Sequence, residues 1–293
     1  MVTEHIRKRV FIVGCSRSGT TVLQVSVASH PRMKSFPETF FFQHLYGKFR
    51  DIPLRFGLAG GREQWALEHV LKELDRPDLK SMIPEQSWWL RPYVDRYLTI
   101  LDRLATEDGK DHWVEKTPMH IFRLWLILRY VPDVHIIHMV RDGRDVVASI
   151  CDRAQQFEGE FPGQEDPAFG IDRWNRAMEV SSQYVGQPRH TFIFYDRFVR
   201  DPEAEMRRLC EDLDIAYHPV MATGSENVAA NIIPDHRAWI QRAKKPPEAK
   251  NSKFERLFTP KQQHEITQAL HLDVFRRIRK EVAPRASESS ADH

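Results

Sequence analysis

The sequence predicts an α/β fold in which a parallel sheet lies between two layers of helices, a three-layer arrangement. Short apolar runs rich in β-branched residues recur along the chain, as is typical of buried parallel strands. Segments with helical spacing separate these runs, and right-handed crossovers would pack them on the sheet. The 293 residues are enough to bury one core, so we expect a single domain over 1–283 and a disordered tail over 284–293.

Composition excludes several classes of protein. The formal net charge of +2 gives no overall field of the kind that marks a nucleic-acid-binding protein. Cys15, Cys151 and Cys210 are scattered without CxxC spacing, which indicates neither a metal site nor a disulfide framework. No apolar stretch reaches the roughly 18 residues of a membrane span. We expect a cytoplasmic protein with no transmembrane segment and no nucleic-acid partner.

The first strand, over Val10–Val13, leads into a loop bounded by Gly14 and Gly19. A helix over 20–29 follows, and this order aims backbone N–H groups and a helix N-terminus at one anion. The glycine spacing matches a P-loop, but Thr20 occupies the lysine position, and Arg17 supplies the cation from inside the loop. An ordinary strand–turn–helix is the alternative. The predicted anion-binding residues are Ser16, Arg17, Ser18, Gly19, Thr20 and Thr21.

Each later strand also ends in residues suited to chemistry. Glu38 follows the short strand over 33–36, where desolvation by Phe36 and Phe40 would raise its pKa toward that of a general base. A surface or capping carboxylate is the alternative for Glu38. Lys116 lies at the end of a strand that begins near Trp113. The carboxyl ends of parallel strands are where α/β folds bind ligands, so these side chains are candidate site residues.

A second anion element follows the apolar strand over 134–140. Arg141 comes at its end, and Ser149 and Arg153 lie one helical turn apart on the next helix. A solvated charged face is the alternative. The strand over 191–195 then delivers Tyr195.

Helices are expected over 121–130, 146–153 and 171–185, after Pro202, and over 254–270 with an interruption at Pro260. The Gly- and Pro-rich stretch over 157–170 is interpreted as a surface loop or lid. Trp88 and Trp89 are a weak indication of an acceptor pocket.

The pairing of an Arg-bearing loop with an Arg-x7-Ser element resembles the sulfotransferases that use 3′-phosphoadenosine 5′-phosphosulfate (PAPS). Residues 17–21 are similar to their 5′-phosphosulfate loop, and 141–149 to their 3′-phosphate element. Residues 36–39 resemble the acidic segment of carbohydrate and tyrosylprotein sulfotransferases, and 115–118 and 195–198 resemble further family landmarks. The resemblance spans about 9–198. Family members also contribute a basic segment late in the chain, and residues 250–253 are the only candidates for it in this sequence.

The resemblance implies a P-loop-like fold and PAPS as co-substrate, without a metal. For this reaction we expect Arg17, Lys116 and the loop N–H groups to hold the transferring sulfonate and the leaving phosphate, and Glu38 to take the acceptor proton. His120, just beyond Pro118, is the next candidate base. Arg141, Ser149 and Arg153 would bind the 3′-phosphate, with Tyr195 nearer the nucleotide. The implied acceptor is a small-molecule, carbohydrate or lipid-linked hydroxyl, or a tyrosine. A P-loop kinase or NTPase and a non-catalytic nucleotide-binding module remain as alternatives.

Overall fold

A computed structural model describes residues 6–45, 51–232 and 253–282 of the chain. The expected tail over 284–293 and most of the late basic segment, 250–252, lie outside the described residues.

A five-stranded sheet forms the centre of the molecule, with strand order β2-β3-β1-β4-β5. Every neighbouring pair is parallel, with Ile12 opposite Lys116 and Gly14 opposite Met139. All five carboxyl ends therefore lie at one edge, which confirms the predicted α/β fold with a central parallel sheet. The strands are β1 (Lys8–Gly14), β2 (Met33–Phe36), β3 (His112–Lys116), β4 (Val134–Val140) and β5 (His190–Phe194).

Helices connect the strands and extend the chain beyond β5. The first eight are α1 (Thr20–Ala28), α2 (Phe41–His44), α3 (Asp51–Arg55), α4 (Glu63–Glu73), α5 (Arg91–Glu107), α6 (Leu124–Tyr130), α7 (Gly143–Gln156) and α8 (Pro167–Ser182). The others are α9 (Tyr195–Arg200), α10 (Pro202–Leu213), α11 (Val220–Thr223), α12 (Glu226–Ile232), α13 (Lys253–Leu257), α14 (Pro260–Ala269) and α15 (Leu272–Glu281). Two 3-10 helices cover Pro77–Met82 and Pro118–Arg123.

Two apolar cores cover the two faces of the sheet. Val10 and Ile12 of β1 pack in one core with Leu23 of α1, together with residues of α10. Phe11 and Val13 point to the other core, which also holds residues of α5, α7 and α8. Alternate residues of one strand thus enter opposite cores, as the period of a strand covered on both faces requires.

The structure corrects three predicted helices at their ends. Helix α8 begins at Pro167 because the Asp166 carboxylate accepts a hydrogen bond from Ala168 N at 2.9 Å, so the predicted start at 171 was wrong. Asp142 caps α7 in the same way, and α7 begins before residue 146. The stretch before α6 is a 3-10 helix. Helix α15, which was not predicted, buries Phe275 and Ile278.

Some features are absent from the described part of the chain. None of its helices combines the length and apolar character needed to cross a bilayer. It contains no group of three or more His, Cys, Asp or Glu side chains arranged to hold a metal ion. The three cysteines are buried free thiols.

Candidate active site

The loop after β1 lies at the centre of the carboxyl edge of the sheet. A Cβ on Gly14 would lie 2.5 Å from the Met139 carbonyl oxygen, and a Cβ on Gly19 would lie 2.5 Å from Cδ2 of Tyr195. Only glycine therefore lets the loop approach β4 and the first residue of α9 so closely. Arg17 has a positive φ of 73°, and the Ser18 hydroxyl is buried without a hydrogen-bond partner among the described residues. No side chain caps α1. The loop thus keeps hydrogen-bonding capacity for a ligand.

The remaining predicted loop residues differ in exposure. Thr20 is buried at the first turn of α1, while Ser16 and Thr21 are half-buried. These three residues lie in the loop before α1 or in its first turn, and a helix N-terminus is a position that suits an anion.

Three arginines converge on the side of the loop next to β4. Arg17 Nε donates to Ser149 Oγ at 3.2 Å, which joins the loop to α7. The Arg141 guanidinium lies over the Tyr195 ring at 4.1 Å and contacts Asp145 at 3.3 Å. Ser149, predicted to bind the 3′-phosphate together with Arg141, thus also contacts Arg17 of the loop. We call Arg17, Arg141, Ser149, Arg153 and Tyr195 the arginine flank.

Arg153 completes this flank from the next turn of α7. Its guanidinium lies 3.9 Å from the Phe161 ring centroid and donates to Gln164, both in the loop between α7 and α8. That loop, predicted as a lid, therefore already lies against the arginine flank. Lys253, the one described residue of the late basic segment, pairs with Asp152 on the same helix.

Two arginines of the arginine flank have lowered pKa values. Burial lowers the pKa of Arg17, and the nearby Arg141 lowers it further. Burial, with a smaller effect of Arg17, lowers the pKa of Arg153 to about 10. The Nε atoms of Arg141 and Arg153 are buried and have no hydrogen-bond partner among the described residues. A bound anion would supply both the negative charge and the acceptors, so these residues fit a phosphorylated ligand.

The opposite side of the loop, next to β3 and β2, is neutral. Lys116 Nζ donates to Glu38 Oε1 in an ion pair between the ends of these two strands. The Lys116 side chain is 4% exposed and that of Glu38 is 24% exposed. The carboxylate is thus held in place yet remains open to a substrate. We call Glu38, Lys116 and the groups that support them the paired flank.

The buried carboxylate of Glu115 holds the residues next to Glu38 and Lys116 in place through hydrogen bonds. Its Oε1 accepts from both the backbone N and the hydroxyl of Thr39 at 3.0 Å, and also from the Thr117 hydroxyl. Its Oε2 lies 3.1 Å from His120 Nδ1. Burial acts to raise the pKa of Glu115, but His120 and these hydrogen bonds lower it overall. Glu115 therefore fixes the residue after Glu38 and the residue after Lys116 at once.

The structure places two sequence candidates outside the reacting groups. His120 is fully buried, with its ring against Phe11 and Phe42, and faces Glu115 rather than the opening of the site. Trp88 and Trp89 are 87% and 61% exposed, and no described contact joins them to the strand ends. Glu115 itself was missed as a site residue, although a charged residue inside a strand flanked by Trp113 and Val114 is a usable signal.

The chain resembles known proteins in sequence along most of its length. A model of the sulfotransferase family matches residues 9–219. Protein-tyrosine sulfotransferase A of Caenorhabditis elegans is 27% identical over 216 residues, which cover 71% of this chain and 50% of that protein. The chain thus spans about half the length of this relative.

Solved structures agree in fold. The sulfotransferase domain of the Synechococcus PCC 7002 olefin synthase matches with a TM-score of 0.57 and 18% identity, over 97% of each chain. A mouse sulfotransferase complexed with PAP matches with a TM-score of 0.52 and 13% identity, over 94% of this chain and 89% of that one. Because the family model covers well over half of the sequence, the chain belongs to the sulfotransferase family.

Proposed function

We propose that the chain transfers a sulfuryl group from PAPS to the hydroxyl group of an acceptor. One observation carries this proposal: the Glu38–Lys116 pair and the Arg17–Ser149 contact flank the same glycine-bounded loop. A carboxylate base and an anion site thus lie at one edge of the sheet. Family membership supports the same reaction.

The β1 loop and the arginine flank would hold the donor. PAPS, when bound, supplies a sulfuryl group activated by its 5′-phosphate. Arg17 and the loop N–H groups are placed to hold the transferring group and the leaving phosphate, and Lys116 adds a second cation from β3. Arg141, Ser149 and Arg153 would bind the 3′-phosphate, with Tyr195 nearer the nucleotide. The hydrogen bond from Arg17 to Ser149 would link the two proposed phosphate positions.

Glu38 would take the proton from the acceptor. As the acceptor oxygen forms its bond to sulfur, the bond from sulfur to the 5′-phosphate oxygen breaks. The acceptor proton passes to Glu38, and the nucleotide leaves as 3′-phosphoadenosine 5′-phosphate (PAP). Negative charge stays on peripheral oxygens throughout, so alignment and fixed positive charge are the main sources of rate enhancement.

The acceptor is proposed as a sugar, a lipid-linked or small alcohol, or a tyrosine. The relatives named as protein-tyrosine sulfotransferases support the tyrosyl hydroxyl. The partial exposure of the Glu38 side chain is compatible with each of these acceptors, because an incoming hydroxyl group can reach the carboxylate.

Two other functions fit the fold less well. A P-loop kinase needs a lysine where Thr20 stands and a carboxylate for Mg²⁺. Here β4 is followed by Arg141, whose charge would oppose the metal. A non-catalytic nucleotide-binding module has no use for the Glu38–Lys116 pair.

Radiolabelled PAPS tests the proposal. Wild-type protein incubated with a panel of acceptors should release PAP and label an acceptor, while ATP should not be consumed. Arg17→Ala should weaken donor binding by about 1.5–3 kcal/mol, since it removes a charge-assisted contact. Arg32→Ala, a surface arginine paired with Asp111, is the matched control. Consumption of ATP, or binding of PAP that Arg17→Ala leaves unchanged, would contradict the proposal.

A further inference from the structure

Beyond Glu38, a set of rings leads away from the site toward solvent. Phe40, two residues after Glu38, has a positive φ of 53°, and its backbone N donates to Thr117 Oγ1 at 3.3 Å. This fixes Phe40 to the paired flank. Its half-buried ring stacks on His44 of α2, with centroids 5.7 Å apart and planes at 26°. The position of this ring is thus tied to that of the proposed base.

Helix α4 continues the set. Trp65 and His69 lie one turn apart, and their rings stack at 5.8 Å and 18°. His44 contacts both rings, at 4.7 Å from Trp65 and 4.4 Å from His69. Phe40 is 6.5 Å from His69. We call Phe40, His44, Trp65 and His69 the ring cluster.

The ring cluster is not needed for the core. Helix α4 packs inward through Ala66, Leu67, Val70 and Leu71, all buried. Trp65 lies outside this face and is 44% exposed, with the Arg62 guanidinium over its ring at 4.6 Å. A large aromatic side chain that stays half exposed next to a reactive edge is the usual form of a binding surface.

His44 contributes an imidazole with a lowered pKa to the cluster. Burial, followed by the effects of His69 and Arg62, lowers the pKa of His44 to about 4. His44 Nδ1 is buried and has no hydrogen-bond partner within the described ranges. A partly exposed aromatic surface of this kind suits a ligand ring with an apolar face, whereas nucleotide phosphates are attracted by the arginine flank.

We propose that the ring cluster is the acceptor subsite, and that it binds the acceptor through a ring with an apolar face, as in a phenol or a pyranose. The proposal rests on the proposed sulfuryl transfer. The acceptor ring would stack on Trp65 in place of the Arg62 guanidinium, and Phe40 would fix the distance between that ring and Glu38. The acceptor hydroxyl would then reach the base from the paired flank, opposite the donor.

Trp65→Ala provides the test. The acceptor probes are 4-nitrophenol, methyl β-glucopyranoside and 1-pentanol, assayed with radiolabelled PAPS. Loss of stacking should raise KM for the two ring acceptors about tenfold, with kcat nearly unchanged and 1-pentanol unaffected. Trp65→Phe should recover most of the affinity, because it keeps a ring at this position. Trp88→Ala removes an exposed tryptophan outside the cluster and is the matched control.

Binding measurements make each outcome decisive. Saturation-transfer NMR on PAP-loaded protein should show contact with the ring compounds in wild type and its loss in Trp65→Ala. Equal KM in wild type and Trp65→Ala, no contact with either ring compound, or an equal loss in Trp88→Ala would overturn the inference. So would a weaker PAP affinity in Trp65→Ala, since the cluster would then hold the nucleotide. PAP binding and PAPS turnover by the wild-type protein test the proposed function separately. Their results do not depend on the Trp65 variants.

Discussion

On the paired flank, the Lys116 ammonium lies against the Glu38 carboxylate, and the charges cancel before any ligand arrives. On the arginine flank, burial lowers the pKa values of Arg17 and Arg153, and a neighbouring arginine lowers each of them further. The paired flank is therefore already arranged for chemistry, whereas the arginine flank holds a repulsion that an anion would relieve. Changes on the first should alter turnover, and changes on the second should alter nucleotide affinity.

The largest expected effect comes from Glu38→Gln. The amide keeps the shape and one acceptor oxygen but cannot take a proton, so turnover should fall by about 10²–10⁴-fold. PAP affinity should remain, because the arginine flank is intact. Steady-state assays with PAP calorimetry measure both quantities, and the exposed Glu85→Gln is the control. Retention of more than about a tenth of wild-type turnover would remove Glu38 as the base.

Arg141→Ala should show the opposite pattern. Losing one charge-assisted contact to phosphate should weaken PAP binding by about 10–100-fold, while binding of 5′-adenylate changes little. The matched control is Arg144→Ala, which removes an exposed arginine of the first turn of α7 that pairs with the N-cap residue Asp142. Equal affinity of the wild type for the two nucleotides, measured by calorimetry, would be the contrary result.

Glu115→Gln should disturb the positions of Glu38 and Lys116 without removing either of them. The amide cannot accept from Thr39, Thr117 and His120 together, so the free energy of unfolding should fall by about 1–3 kcal/mol. Turnover should fall about tenfold, as for a misplaced base. Asp102→Asn is the control, since this carboxylate accepts from Arg9 and Trp113 at the other end of the sheet. If both variants lose stability equally and neither loses turnover, Glu115 does not position Glu38.

Buried histidines and the buried Glu115 of the paired flank should lower the stability of the fold in different pH ranges. Six described histidines have pKa values lowered by burial, so stability is full above about pH 6.5 and declines toward pH 4 as protons favour the unfolded chain. Glu115, whose pKa is also lowered, contributes a loss only below about pH 4.5.

His135 tests the upper window. Its Nε2 lies 2.8 Å from the Thr191 hydroxyl, and burial lowers its pKa to about 4. His135→Gln should reduce the loss between pH 6.5 and 5 by about 1 kcal/mol, read from urea unfolding at each pH. An unchanged pH profile in this variant would show that His135 does not contribute.

The sequence predicts the frame of the site well because two simple rules apply to it. Buried apolar runs locate the strands, and parallel strands bring their carboxyl ends to one edge. Glu38 and Lys116 are 78 positions apart in the chain, yet both follow strands of this kind. The sequence therefore predicts that both lie at the same edge of the sheet, while their direct contact also depends on the pairing of β2 with β3, which the structure shows.

Contacts between side chains were beyond these rules. The hydrogen bond from Arg17 to Ser149 joins residues 132 positions apart, and the sequence pattern did not predict it. The start of α8 could have been predicted from the Asp166-Pro167 capping signal. The clustering of Phe40 with rings of α4 depends on helix packing, which periodicity does not specify.

The left-handed backbone conformation of Arg17 opposes selection for stability to selection for activity at this position. Glycine or asparagine adopts this conformation more readily, by roughly 1 kcal/mol, yet neither carries a cation. A library randomised at position 17 and selected for heat resistance alone should become enriched in glycine and asparagine. The same library selected for turnover should retain arginine, and sequence counts after each selection would show this trade-off between stability and activity at a single residue.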